Sequence, residues 1–493
     1  MRPFKKLAGQ TAIYGLPSIL GRTIGYLLVP IYTRVFNKSD YGTIILLYSY
    51  VSFLIVILSY GMETAFFRFS QTKKNKNIAF STAFISLLIT TLIFAILSIL
   101  FSQNIANIIL YPDNKDYVIW FSLIISFDVL SAIPFAKLRA DNKPKRFAII
   151  KAINISINII LNLFFILLCP FILENYNDSS FASIIKLFFI SDNLISYVFI
   201  SNLIASFITI LLLSYDFLKL KIQFNYILWR QMLIYALPLL IAGLAGIMNE
   251  TLDRILLRYL LPSNIAEDQV GIYGACYKIA IFMSLFIQAF RYAAEPFFFS
   301  HAKEKDAKIL YSQIMNYFVI TVSFIFLITM MYIDIIILFI GEEFRVGIAV
   351  IPILLLANLF LGIYYNLSVW FKLTNNTKFG AILAIFGAII TVSLNFYLIP
   401  IIGFMGSAWA TLACYFSMTV LSYFLGQKYY RINYNLKKIT TFIFLSVFLF
   451  FISKFLNFET QSIRLIFNTI ILIIFVAIVY LIEKNSFKNF LTQ

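Results

Sequence analysis

Fourteen long apolar runs, each bounded by polar clusters, constrain this chain more than any other feature. A helix needs about 20 apolar residues to cross a bilayer, and every run approaches or exceeds that length. Their approximate limits are Leu7–Val35, Tyr41–Phe67, Ile78–Phe101, Tyr117–Ala136, Phe147–Phe171, Leu194–Ser214 and Gln231–Leu257. The second half continues with Val270–Phe297, Leu310–Tyr332, Val346–Phe371, Phe379–Ile399, Met405–Leu425, Ile439–Phe455 and Ile463–Ile482. Apolar residues make up 61% of the 493, against about 45–50% in soluble domains. A water-soluble fold could not bury that much apolar surface, and the connections are too short for a sizeable extramembrane domain. The predicted fold class is an all-α polytopic membrane protein of about 14 transmembrane helices.

Charge sets the orientation. If the N-terminus is cytoplasmic and every run crosses, alternate connections collect 26 of the 39 cations and only five acids. The five clearest clusters are Arg2 to Lys6, Arg68 to Lys76, Lys137 to Arg146, Lys303 to Lys308 and Lys428 to Lys438. The opposite connections hold eight cations and twelve acids, among them Asp113, Asp116, Glu174, Asp178, Glu267 and Asp268. Such asymmetry follows the positive-inside rule and predicts that both termini are cytoplasmic. It also accounts for the net charge of +17, because short basic loops face an anionic leaflet. No nucleic-acid partner is needed to explain it.

The chain echoes itself at an offset near 230 residues. Ile13-Tyr14-Gly15-Leu16-Pro17 returns as Ile234-Tyr235-Ala236-Leu237-Pro238. The second run opens near Gly42 and closes on Glu63-Thr64-Ala65-Phe66-Phe67; the eighth opens near Gly271 and closes on Glu295-Pro296-Phe297-Phe298. Lys137-Leu138 followed by Asn162 matches Lys372-Leu373 followed by Asn395. The repeats start six runs apart, so both have the same orientation, a parallel repeat about an axis normal to the membrane. The predicted domains are an N-lobe over residues 1–220, a C-lobe over 221–431, and two further spans with a cytoplasmic tail over 432–493. Two such lobes around a central passage suit alternating access. Pro17 and Pro238 would kink both first helices.

Several chemistries are missing. Cys169, Cys276 and Cys414 lie singly in apolar stretches and read as core residues, not as a disulfide framework or thiolate site. His301 is the one histidine, which argues against histidine metal sites and a Ser-His-Asp triad. No phosphate-binding loop marks an ATP-driven pump, and no acid pair sits in a loop large enough for a glycosidase site. The basic N-terminus leads into a long span, so no cleaved signal peptide is expected. Neither enzyme activity nor a cofactor is predicted.

Charges inside the runs are functional candidates by default, because each costs several kcal/mol unless it faces protein or water. There are five bases, Arg22, Lys151, Arg254, Lys278 and Arg291, and five acids, Glu63, Asp128, Glu250, Asp253 and Glu295. Most sit on the first two spans of each lobe, so spans one, two, seven and eight are expected to line any polar passage. Glu250–Arg254 and Arg291–Glu295 stand at i, i+4 spacing and could be internal ion pairs. No acid stands one turn from Arg22 or Lys278 in the sequence, which points those two toward substrate.

The run Lys6-Leu7-Ala8-Gly9-Gln10-Thr11, with Leu16-Pro17, Gly21-Arg22 and Pro30-Ile31-Tyr32-Thr33-Arg34, resembles bacterial polysaccharide-biosynthesis flippases. So do Asp40-Tyr41-Gly42, Leu252-Asp253-Arg254-Ile255-Leu256-Leu257 and Val270-Gly271-Ile272-Tyr273. These O-antigen and lipid-linked oligosaccharide flippases belong to the multidrug/oligosaccharidyl-lipid/polysaccharide exporter (MOP) superfamily. The resemblance implies a multi-pass protein of the inner (cytoplasmic) membrane that moves an undecaprenyl-diphosphate-linked oligosaccharide to the outer leaflet. Such a substrate assigns Arg22, Arg254, Lys278 and Arg291 to diphosphate or sugar contact through charge-assisted hydrogen bonds. Glu63, Asp128, Glu250, Asp253 and Glu295 become candidates for coupling to H+ or Na+. Membrane lipid and a polysaccharide polymerase are the further partners implied. The alternatives are a MATE-like drug/cation antiporter, which expects acids to dominate, and a non-transporting scaffold of a polysaccharide-assembly complex.

Overall fold

The computed structural model describes residues 26–70, 73–190, 193–217, 223–302, 304–374, 376–456 and 460–491. Thirteen helices among these residues are long and apolar enough to cross a membrane, and they coincide with the second to fourteenth runs. They are Lys38–Phe69, Lys76–Leu100, Lys115–Ala140, Pro144–Asn175, Leu194–Tyr215, Tyr226–Leu260, Ser263–His301, Ala307–Met331, Val350–Leu373, Lys378–Ile402, Phe404–Tyr429, Leu436–Phe455 and Gln461–Lys484. Of the first run only the end is described, as helix Val29–Val35. The described residues hold no strand, as the fold class requires: a lipid-exposed sheet edge would leave backbone groups unpaired in hydrocarbon.

The helices end where the chemistry says they should. Proline starts the fifth span at Pro144, and the side chains of Ser179 and Asn435 cap Ala182 and Lys438. The second span is broken: Tyr60 and Gly61 have φ of 29° and 69°, separating Lys38–Ser59 from Met62–Phe69. Gly61 suits the left-handed turn, and a Cβ there would also lie 3.0 Å from the Ala236 carbonyl. A π turn, Phe164–Leu168, interrupts the fifth span. Pro238 lies inside the seventh helix, whereas Pro17 is outside the described residues.

Packing divides the chain into two compact units. Unit 1 comprises residues 1–35 and 43–251; unit 2 comprises 36–42 and 252–493. Two of the three divisions fall within the second and seventh helices, and the other lies just before the second. In unit 1 the fourth span packs on the third and sixth, and the sixth on the fifth. Phe121 and Phe199, 4.6 Å between ring centres, pack where the fourth and sixth spans begin. In unit 2 the tenth span packs on the eighth, ninth and twelfth, and the twelfth on the eleventh. Trp370 is its largest fully buried side chain and stacks on Tyr429 at 5.8 Å. The last two spans join unit 2 through the ninth: Asn468 donates to the Met331 carbonyl at 2.7 Å and accepts from Ser453 at 2.6 Å. Lys438 closes the pair on buried Glu483 at 2.7 Å.

Candidate functional site

In unit 2 the ionisable residues collect along the seventh and eighth helices. Asp253 and Arg254 form a buried pair at 3.0 Å, with side chains only 3% and 8% exposed. Tyr273 donates to the second Asp253 oxygen at 2.6 Å, and the Arg254 guanidinium lies 4.2 Å from the Tyr277 ring centre. The carboxylate, the phenol and the π face together compensate a cation that would otherwise be costly inside the membrane. One turn further along the seventh helix, Arg258 pairs with Glu267 at 3.0 Å, and Ser39 donates to the other Glu267 oxygen at 2.6 Å.

Lys278 interrupts a buried helix. From Val270 to Ile281 every residue of the eighth span is buried except Lys278, which is half-buried. Tyr277, Ser284, Gln288, Arg291 and Glu295 share one face of the same helix, at i, i+7, i+11, i+14 and i+18. At 1.5 Å per residue this polar stripe runs for about 27 Å, close to the roughly 30 Å of a hydrocarbon core. At the far end of the stripe Glu295 accepts Lys372 at 2.6 Å and Arg291 at 3.5 Å. The Arg291 guanidinium stands 5.0 Å from the Tyr365 ring centre. Arg291 and Glu295 are 40% and 37% exposed, so this end of the stripe is accessible. Beyond the twelfth span, burial pushes the phenols of Tyr430 and Tyr434 up, and Lys308 lies over the Tyr430 ring at 4.6 Å.

Unit 1 has a counterpart where its second and fourth spans close. Glu63, at the close of the second span, pairs with Arg139 at the close of the fourth. Glu295 and Lys372 stand at the matching ends of the eighth and tenth. Arg139 also covers the Phe67 ring at 4.9 Å, and Lys76 ties the third span to Asp141 at 2.5 Å. Midway along the fourth span, half-buried Asp128 accepts Ser206 Oγ at 2.8 Å. Ser206 in turn reaches Asn202 at 3.5 Å, and Asn202 donates to the Tyr48 hydroxyl at 2.8 Å. Lys151 sits 4.3 Å from the Phe135 ring centre.

The candidate residues are therefore sorted by the structure. Arg291 and Glu295 pair as their spacing suggested, with Lys372 as an added partner. The Arg254 guanidinium lies on Asp253, and Glu250 is exposed. Arg22 lies outside the described residues. Tyr277, Tyr365, Arg139 and the Tyr48–Asn202–Ser206 chain were not among the sequence candidates, and Tyr273 entered only through its motif. Two residues carried usable signals: Tyr273 in the Val270–Tyr273 motif and Lys372 in the Lys-Leu echo. Among the described residues no cluster of His, Cys, Asp and Glu could hold a metal ion, and all three cysteines are buried and unbridged.

A family model described as "Polysaccharide biosynthesis protein" matches residues 31–176. No curated protein matches the chain in sequence. Among solved structures, the lipid II flippase MurJ in an inward closed conformation is similar, with a TM-score of 0.67 at 15% identity over 95% of this chain and 98% of that one. An inward-facing multidrug resistance MATE family transporter of the MOP superfamily gives 0.59 at 14% identity, over 90% and 95%. MATE in complex with MaD3S gives 0.60 at 13%, over 90% and 99%. Residues 31–176 thus match a polysaccharide-biosynthesis family model, and the chain shares its fold with the lipid II flippase and MATE structures.

Proposed function

We propose that this protein is a flippase that moves a lipid-linked oligosaccharide, built on undecaprenyl diphosphate, from the cytoplasmic to the outer leaflet by alternating access. The observation that carries this reading is the polar stripe on the eighth helix, which crosses an otherwise apolar span from Tyr277 to the exposed Arg291–Glu295 end. A lipid tail can stay in hydrocarbon, but a diphosphate and its sugars need a polar path of that length. The polysaccharide family match and the fold shared with the lipid II flippase support the substrate class.

In this reading the termini and the basic loops are cytoplasmic, and Arg291 beside Tyr365 meets the diphosphate first. Lys278, about 20 Å further along the helix and about 100° round from the face that carries the stripe, takes it at depth. Arg254 serves as a positioning residue, because its charge is already matched by Asp253 and Tyr277. Asp128, with Ser206 as its hydrogen-bond partner, carries the coupling ion, H+ or Na+. The likeness to MATE transporters favours a drug/cation antiporter as the second reading. The two part in one experiment. Proteoliposomes under an imposed gradient should move fluorescent lipid-linked oligosaccharide and leave cationic dyes untouched. Dye efflux without lipid movement would reverse the choice.

A further inference from the structure

Three helices of unit 1 fix the level at which its outer end leaves the hydrocarbon. The fifth and sixth run antiparallel in step: Asn154 donates to Thr209 at 2.8 Å, and Phe165 stacks on Tyr197 at 4.7 Å. The sixth span therefore opens, at Leu194, level with the π turn Phe164–Leu168. The fourth span opens at the same level, for Tyr117 donates to Asn193 at 3.3 Å and meets Phe199 edge-on at 5.1 Å. Lys115 and Asp116, in the first turn of the fourth span, are a charged rim that belongs in water or headgroups.

The fifth helix does not stop at that rim. It continues as Cys169–Asn175, roughly 10 Å further at 1.5 Å per residue. Helix Ser180–Lys186 then folds back on it. Ala182, Ile185 and Phe189 are buried, with Ile185 and Phe189 packed against Cys169 and Tyr197. The Tyr197 hydroxyl accepts the Ile190 amide at 2.7 Å and donates to the Phe188 carbonyl at 3.2 Å. The hairpin 169–190 is thus an ordered structure spanning the depth of a headgroup layer, roughly 5–8 Å per leaflet.

Its remaining face is apolar and uncovered. Phe181, Ile184, Leu187 and Phe188 are 73%, 55%, 85% and 47% exposed, while Ser183 and Lys186 form a separate polar side. A helix with an apolar stripe beside a polar one belongs at a membrane interface. The exposed apolar residues of the fifth helix, Leu163, Leu167, Leu168 and Phe171, continue directly below. We propose that the hairpin 169–190 is a lipid-binding element that seats unit 1 in the headgroup–glycerol layer of the leaflet at its acid-rich face. Lipid is preferred to a protein partner because the uncovered stripe is continuous with the membrane-facing side of the span that carries it.

Spin labelling of the full chain tests this. Phe181→Cys, Ile184→Cys and Leu187→Cys are each labelled with a nitroxide in nanodiscs of phosphatidylethanolamine and phosphatidylglycerol, with Ser183→Cys as the polar-side control. The native cysteines are buried, so the unsubstituted protein supplies the background. Oxygen should relax the three apolar-side labels more than an aqueous nickel chelate does, increasingly from Phe181 to Leu187, and the order should reverse at Ser183. Nickel access exceeding oxygen access at all three positions would overturn the proposal by placing the stripe in water. Exclusion of both reagents would overturn it in favour of a covering protein or a second copy.

Discussion

Gly42 and Gly271 cross with no side chain between them, each filling the space that the other's Cβ would need. A Cβ on Gly42 would lie 2.1 Å from the Glu267 carbonyl oxygen and 3.1 Å from the Gly271 nitrogen. A Cβ on Gly271 would lie 2.1 Å from the Lys38 carbonyl oxygen and 3.1 Å from the Gly42 nitrogen. Each glycine thus meets the carbonyl of the residue four before the other, as helices do when small residues let their backbones touch. Ser39 and Arg258 close on Glu267 beside this crossing and hold it in place.

Alanine at either glycine should therefore force the second and eighth helices apart where they cross. Overpacking of this kind costs about 1–3 kcal/mol. Gly42→Ala and Gly271→Ala should each lower the melting temperature of detergent-purified protein. The double variant should cost less than the sum, since one separation relieves both clashes. Unchanged melting in both single variants would contradict the close crossing.

Arg254→Ala should be among the most destabilising single changes in unit 2, by about 3–5 kcal/mol, because it leaves Asp253 charged and buried. Asp253→Asn combined with Arg254→Met should recover much of that loss. A double-mutant cycle on thermal stability measures the coupling, and additive losses would show that the two side chains act separately.

Arg291→Ala should behave in the opposite way. The Arg291–Glu295 pair is about two-fifths exposed, and pairs so placed contribute about 0–1 kcal/mol. Melting should hardly move, while lipid flipping in proteoliposomes should fall at least tenfold. Arg291→Lys should restore part of the rate, as a cation lacking the planar fork would. Wild-type flipping by Arg291→Ala would remove this residue from the substrate path.

Asp128→Asn keeps an oxygen for the Ser206 hydroxyl and removes the charge. Stability should stay near wild type, and flipping should lose its dependence on an imposed proton or sodium gradient. Retained gradient dependence would move coupling to another acid, with Glu250 the next to substitute.

The sequence alone determined the membrane helices, because hydrocarbon thickness and the cost of unpaired backbone groups leave a 20-residue apolar run one option. Thirteen runs appear as helices within a few residues of their expected limits. Helical spacing also identified Arg291 and Glu295 as partners, since i and i+4 share a face. The contact of the Arg254 guanidinium with Asp253 lies outside that rule, because adjacent residues do not share a helix face. Tertiary structure alone joined Glu63 to Arg139, Glu295 to Lys372 and Arg258 to Glu267. It also folded the end of the fifth helix back on itself. Such contacts depend on which helices pack side by side and in what register, and hydrophobicity, which drives each span into the bilayer, is nearly blind to both once the helices are surrounded by lipid.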